Sequence, residues 1–146
     1  MEFKASFDRN TKNAIVKSIG AFMNNKGGTI IIGVHDKGAV HGLSINDGWE
    51  LDKISREISQ AVRANLVDES FIDLISIDTK QRIGDKRILR IDCASSDQPV
   101  FFSERDKGNI KKEIFYLRIG TENQKLEKVS QIVKAIRNRD SRSVEV

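Results

Sequence analysis

The chain has 146 residues, 38% of them apolar and 32% charged, with a formal net charge of +4 and an isoelectric point near 9.3. That length suits one domain with room for a real core, and that balance excludes a disordered chain. No apolar run approaches the roughly 20 residues of a bilayer span, and a single cysteine, Cys93, excludes an internal disulfide and a cysteine-rich zinc site.

Met1-Glu2-Phe3-Lys4 carries no apolar signal core, so a cytoplasmic setting is the default expectation. Residues 10–25 predict a helix. Ile15, Ile19, Phe22 and Met23 form one apolar stripe, and Asn10 or Thr11 is placed to cap it. Gly27 and Gly28 stop the helix and turn the chain. Thr29–Val34 is β-branched and apolar on both faces, which predicts an interior strand. Gly33 marks its exit and Asp36 follows it. Lys37-Gly38 makes a turn, and Ala39–Leu43 returns as an antiparallel neighbour.

Asn46-Asp47-Gly48 is a turn cluster ahead of a second helix at about 49–64, whose inner face is Leu51, Ile54, Ile58, Ala61 and Val62. Phe71–Thr79 and Lys86–Ala94 read as strands around a hairpin at Ile83-Gly84-Asp85. The only proline sets a short strand in Gln98–Phe102, and the polar, basic residues 103–113 read as a mobile loop. In the next strand Phe115, Leu117 and Ile119 point one way, inward, while Tyr116 and Arg118 form an outer face. A last helix at about 124–137 turns Leu126, Val129, Ile132, Val133 and Ile136 inward. Residues 1–138 are therefore read as one domain and 139–146 as a flexible tail. The order of elements predicts an α+β fold, a mostly antiparallel mixed sheet packed with about three helices.

The chemistry has few footholds. The glycines follow a helix and precede a strand, the reverse of a phosphate-binding loop, and no nucleotide motif is present. Glu2 and Asp36 are the acids that could share a divalent ion. His35 and His41 lie six apart across a turn and could meet, either as a metal pair or as ordinary strand residues. Cations are concentrated instead. Lys80, Arg82, Lys86, Arg87 and Arg90 crowd one hairpin. Lys107, Lys111 and Lys112 lie in the next loop, and a third group runs through the C-terminal segment. Tyr116 could stack on a base and Arg118 could fork onto a phosphate. Three basic clusters in one small domain point to a polyanion partner.

The ordered pieces Glu2-Phe3-Lys4, Ala21-Phe22-x-Asn24-x-x-Gly27-Gly28-Thr29, Ile32-Gly33-Val34-x-Asp36-x-Gly38-x-Val40-x-Gly42, Pro99-Val100 and Tyr116-Leu117-Arg118-Ile119-Gly120 resemble the Schlafen-type divergent Alba domain, often labelled a DNA-binding domain. The resemblance covers nearly the whole chain. It implies an Alba-like fold that binds DNA or structured RNA largely without sequence specificity. In animal Schlafen proteins two such lobes cleave structured RNA such as tRNA with three acids. Glu2 takes the place of the second acid and Asp36 approximately that of the third, while the first has no counterpart here. On that implied reading Glu2 and Asp36 would hold Mg²⁺ or Mn²⁺, and Lys4 would steady the scissile phosphate. A metal-dependent endoribonuclease is thus the alternative to a binding domain. A regulatory or oligomerisation module for an acidic protein is a third reading. The nucleic-acid contacts expected are Lys4, Arg82, Lys86, Arg87, Arg90, Tyr116 and Arg118. A homodimer, or further domains in a longer parent protein, would supply a second lobe, and no membrane partner is expected.

Overall fold

The computed structural model describes residues 1–43 and 48–144. Strand β1 (Glu2–Lys4) leads into helix α1 (Arg9–Met23) and strand β2 (Gly28–Ile32); helix α2 (Gly48–Asn65) and a 3-10 helix (Glu69–Leu74) follow. Then come β3 (Ile75–Asp78), a small hairpin of β4 (Arg82–Ile83) and β5 (Lys86–Arg87), and β6 (Leu89–Cys93). Strands β7 (Phe102–Arg105), β8 (Lys111–Ile119) and β9 (Glu122–Leu126) precede the last helix, α3 (Val129–Val144). The first sheet has the order β1-β2-β6-β3, with β1 parallel to β2 and the other pairs antiparallel; β4-β5 is a separate ribbon and β7-β8-β9 a second antiparallel sheet.

Helix α1 lies between the two larger sheets, and this explains its sequence. Ile15, Ile19, Phe22 and Met23 are buried as their spacing predicts, but so are Val16, Ser18, Gly20 and Ala21. A helix covered on two sides needs more than one apolar stripe. On the first sheet Ile30, Ile32, Leu89, Ile91 and Cys93 alternate into the shared core, joined by Ile58 and Val62 of α2; from the second sheet come Phe102, Ile114 and Tyr116. Each fully buried aliphatic side chain contributes about 1.5–3 kcal/mol, so this core dominates stability. The first sheet's outer face holds only a small cluster of Ile31, Val34 and Ile88, with Phe3 and Val40 against it.

Helix α1 is capped by Asp8, whose carboxylate accepts the Thr11 amide at 2.8 Å, rather than by Asn10 or Thr11. It ends at Asn24, before the glycines. Asn24 is buried and ties three segments together: its amide donates to Val100 O and Tyr116 O and accepts from Val100 N. Gly27 and Gly28 serve different needs. Gly27 has φ +75°, and a Cβ there would lie 2.5 Å from the Cys93 carbonyl oxygen; a Cβ on Gly28 would lie 2.6 Å from the Phe22 ring.

Several predicted elements are corrected. Strand β2 is interior, but its neighbours are β1 and β6; Ala39–Leu43 contributes only an isolated Val34–Val40 bridge. The first half of the predicted strand Phe71–Thr79 is the 3-10 helix. Residues 103–113 are not a loop but most of the β7–β8 hairpin, and β7 starts at Phe102, after the proline-set segment. Strand β9 occupies the start of the predicted last helix, which begins at Val129 and runs through Val144. Of its predicted inward residues Ile132 is buried, whereas Val129 is 75% exposed. Asn46 and Asp47 of the predicted turn lie outside the described residues.

Candidate nucleic-acid interface

The β4–β5 ribbon grows out of the β3–β6 pair, whose register runs from Ile75 opposite Cys93 to Asp78 opposite Arg90. At its root Asp78 accepts from Lys80 N at 2.8 Å and from the Gln81 side chain at 2.9 Å, and Ile88 N donates to Gln81 O. Those bonds hold the Asp78 carboxyl below the usual carboxylate range, the Gln81 side chain contributing most. Gly84-Asp85 turns the tip. Lys80, Arg82 and Lys86 are exposed and Arg87 is half-buried. Between Lys80 and Arg87 these four cations face one acid, Asp85.

The ribbon does not stand alone. Lys86 Nζ donates to Val40 O at 2.9 Å, and Leu43 N donates to Arg87 O at 2.9 Å. The exposed loop His35–Gly42 is thereby fastened to the ribbon's flank and brings Lys37 with it. His35 and His41 do meet, edge to face with centroids 5.8 Å apart, both exposed. Gly33 anchors the loop's base: its amide donates to Lys4 O at 2.7 Å, and its carbonyl accepts from His41 N and Gly42 N.

Arg90 belongs to a different setting. Its guanidinium is bound to Asp92 at 3.0 Å on the outer face of β6, and Thr29 donates to the same carboxylate at 2.7 Å. The hydrogen bond from Arg90 leads in holding Asp92 low, and the same bond raises Arg90. With Asp78 opposite it in register, Arg90 contributes less free positive charge than the sequence suggests.

The expected outer face of β8 is an inner one. Tyr116 is 2% and Arg118 9% exposed, while Ile119 is 51% exposed. Tyr116 lies edge-on to Phe102, and its hydroxyl donates to Glu104, which also holds Lys125 at 2.9 Å. Phe115 is buried as expected, at 1% exposure, so this part of β8 is covered on both faces, and only Ile119 of the expected inward residues is exposed. Helix α1 and the Glu2 end of β1 cover the face with the polar tips, and each tip is satisfied inside.

Arg118 is the hub of that interior. Its Nη1 donates to Glu2 Oε1 at 2.8 Å and to Asn123 Oδ1 at 2.7 Å, and its guanidinium lies over Phe22, 4.8 Å from the ring centroid. Ser18 Oγ donates to Glu2 Oε1 at 2.9 Å and accepts from Asn123. Glu2 Oε2 is buried and has no hydrogen-bond partner among the described residues. Ser18 and Asn123 carry no motif that would flag them. Ser18's place among apolar neighbours on a buried helix is the one available signal.

A Mg²⁺ or Mn²⁺ ion is bound by several oxygens at once. Glu2 is already paired with a cation, and Asp36 sits in the exposed turn beyond the far end of β2 from Glu2. Among the described residues no group of three or more His, Cys, Asp or Glu stands where it could hold a metal ion. As placed, these residues do not fit the ion. Lys4 is half-buried on β1, and among the described residues it makes no ion pair.

A family model described as Schlafen, AlbA_2 matches residues 1–127, ending just before α3. No curated protein matches the sequence. The crystal structure of the DIP2311 protein from Corynebacterium diphtheriae is similar, with a TM-score of 0.59 at 14% identity. The match covers 95% of this chain and 28% of that one, and it shows a shared fold. Among the described residues no helix is long and apolar enough to cross a membrane.

Proposed function

From the premise that this chain belongs to the Schlafen, AlbA_2 family, which points to nucleic-acid binding, we propose that it grips the phosphate backbone of DNA or structured RNA largely without sequence specificity. The observation that carries this reading is the β4–β5 ribbon: a two-stranded arm with Lys80, Arg82, Lys86 and Arg87, braced by the His35–Gly42 loop. Backbone contacts of this kind release counterions and carry no sequence information. Lys4 and Lys37 extend the cationic surface; Arg90, bound to Asp92, adds less.

Three to four phosphate contacts from this arm predict that affinity falls roughly 40- to 150-fold between 50 and 200 mM salt. Fluorescence anisotropy with labelled duplex DNA and with a structured RNA measures it. Arg82→Glu with Arg87→Glu should weaken binding and flatten the salt dependence by about two contacts, while Arg90→Gln should do much less. A wild-type protein that binds neither probe at low salt would remove the reading.

A further inference from the structure

The second hairpin, β7–β8, ends in a tip that the core does not use. Asp106 organises it: its carboxylate accepts from Gly108 N and Ile110 N at 2.9 Å each, its amide donates to Ile110 O, and its carbonyl accepts from Asn109 N. Arg105 Nη1 donates to Asn109 O at 3.2 Å, and Lys112 pairs with Asp106 at 3.7 Å. The Ile110 backbone amide, helped by that of Gly108, holds the Asp106 carboxyl below its usual range. Asn109 takes φ +60° to close the turn. The result is a tied turn in which Ile110, opposite Asp106, is a large apolar side chain left 63% exposed, with Lys107, Lys111 and Lys112 exposed around it. From Arg105 to Lys112 there are four cations and one acid.

An exposed aliphatic side chain on a hydrogen-bonded ribbon with cations around it suits a polyanion with apolar layers inside. A two-stranded ribbon fits a duplex groove, lysines reach the flanking phosphates, and an apolar tip can enter between base pairs and partly unstack them. One exposed isoleucine is far too little apolar surface for stable membrane anchoring. We propose that the β7–β8 arm is a second nucleic-acid contact in which Ile110 enters a groove of duplex DNA and wedges into a base step, with Lys107 and Lys111 on the adjacent phosphates. This rests on the nucleic-acid reading above and adds to it a mode of contact and a preference. Deformable pyrimidine–purine steps are the favoured sites, because they unstack most easily.

The test uses the whole chain and a labelled duplex of about 20 base pairs with aminopurine beside a central T–A step. Aminopurine emission reports unstacking, and anisotropy reports binding. The wild type should bind and raise the emission. Ile110→Ser, at an exposed position, should keep the wild-type melting temperature, lose the emission rise and bind roughly tenfold more weakly. Ile110→Leu should keep both signals. Binding without any emission change, or an Ile110→Ser protein indistinguishable from wild type, would overturn the wedge and leave the phosphate grip standing. Binding confined to structured RNA would do the same. No binding to any nucleic acid would overturn both readings, and Ile110-dependent binding to phosphatidylserine vesicles alone would reassign the tip to a membrane.

Discussion

Arg118 offers the sharpest separation between a binding residue and a structural one. Its side chain is 8% exposed and that of Glu2 13%. Arg118→Met keeps length and aliphatic bulk over Phe22 but removes the cation. Glu2 then keeps only the Ser18 hydroxyl, and Asn123 Oδ1 loses its donor. Breaking a buried pair by deleting one partner costs about 3–5 kcal/mol, because an uncompensated charge stays behind. The largest part comes from Glu2, whose second oxygen already lacks a partner among the described residues. For a chain of this size that is a fall in melting temperature of roughly 10 °C or more.

The assay is urea unfolding followed by circular dichroism at neutral pH for wild type, Arg118→Met, Glu2→Gln and the double variant. The double variant should be more stable than Arg118→Met alone, since neutralising Glu2 removes the stranded charge. A coupling of roughly 2 kcal/mol between the two changes is expected. A loss below about 1 kcal/mol for Arg118→Met, or strictly additive losses, would refute the reasoning. If Arg118→Met kept its stability and instead lost nucleic-acid affinity, Arg118 would be a contact residue after all.

Gly28→Ala should destabilise by about 1–3 kcal/mol in the same urea assay, because the new Cβ would meet the Phe22 ring, which also packs under the Arg118 guanidinium. A neutral result would show that the ring can give. Cys93 is buried, and burial above all pushes its thiol up to about 12, so a thiol reagent at pH 8 should label it only as fast as the protein unfolds. Rapid labelling of the native protein would contradict that packing. Asp8, Asp68, Asp78, Asp92 and Asp106 are all held below their ordinary values, chiefly by hydrogen bonds from Thr11 N, the Ser70 hydroxyl, Gln81, Arg90 and Ile110 N respectively. In each case the unfolded chain takes up its proton first, so stability is full above about pH 5 and declines as pH falls through and below about 4. A melting temperature flat from pH 6 down to pH 2 would disprove that linkage.

The α+β class, the interior strand β2, helix α2 with its inner face and the Ile83-Gly84-Asp85 hairpin were legible, because each rests on local periodicity or a glycine turn. The failures share a physical cause. Val16, Ser18, Gly20 and Ala21 look like a polar or small flank until a second sheet covers them. Phe115 is buried as its alternation predicts, but so are Tyr116 and Arg118, because no period says that both sides of a strand will be closed. Charged residues 103–113 read as a loop because the hairpin pairing of Ser103–Arg105 with Lys111–Glu113, and the Asp106 turn that permits it, leave no apolar trace. The positively charged ribbon was visible in the sequence; its brace on Val40 and Leu43 was not, and neither was the neutralisation of Arg90 by Asp92.

Glu2-Phe3-Lys4 shows how a three-residue signature can be explained by alternation alone. As an edge strand of three residues, β1 has little intrinsic hold on the sheet. Successive side chains leave it on opposite faces. Glu2 turns inward to Arg118 and Ser18, Phe3 outward to the Ile31, Val34 and Ile88 cluster, and Lys4's carbonyl takes the amides of Gly33 and Val34. Each residue therefore fastens the strand to a different part of the fold. The Glu2–Arg118 contact spans 116 positions of sequence and ties the first sheet's edge to the second sheet. That gives the acid a structural reason to be there without catalysis. To serve as a metal ligand through its other oxygen it would have to hold the ion beside the Arg118 guanidinium, whose positive charge opposes a second cation there.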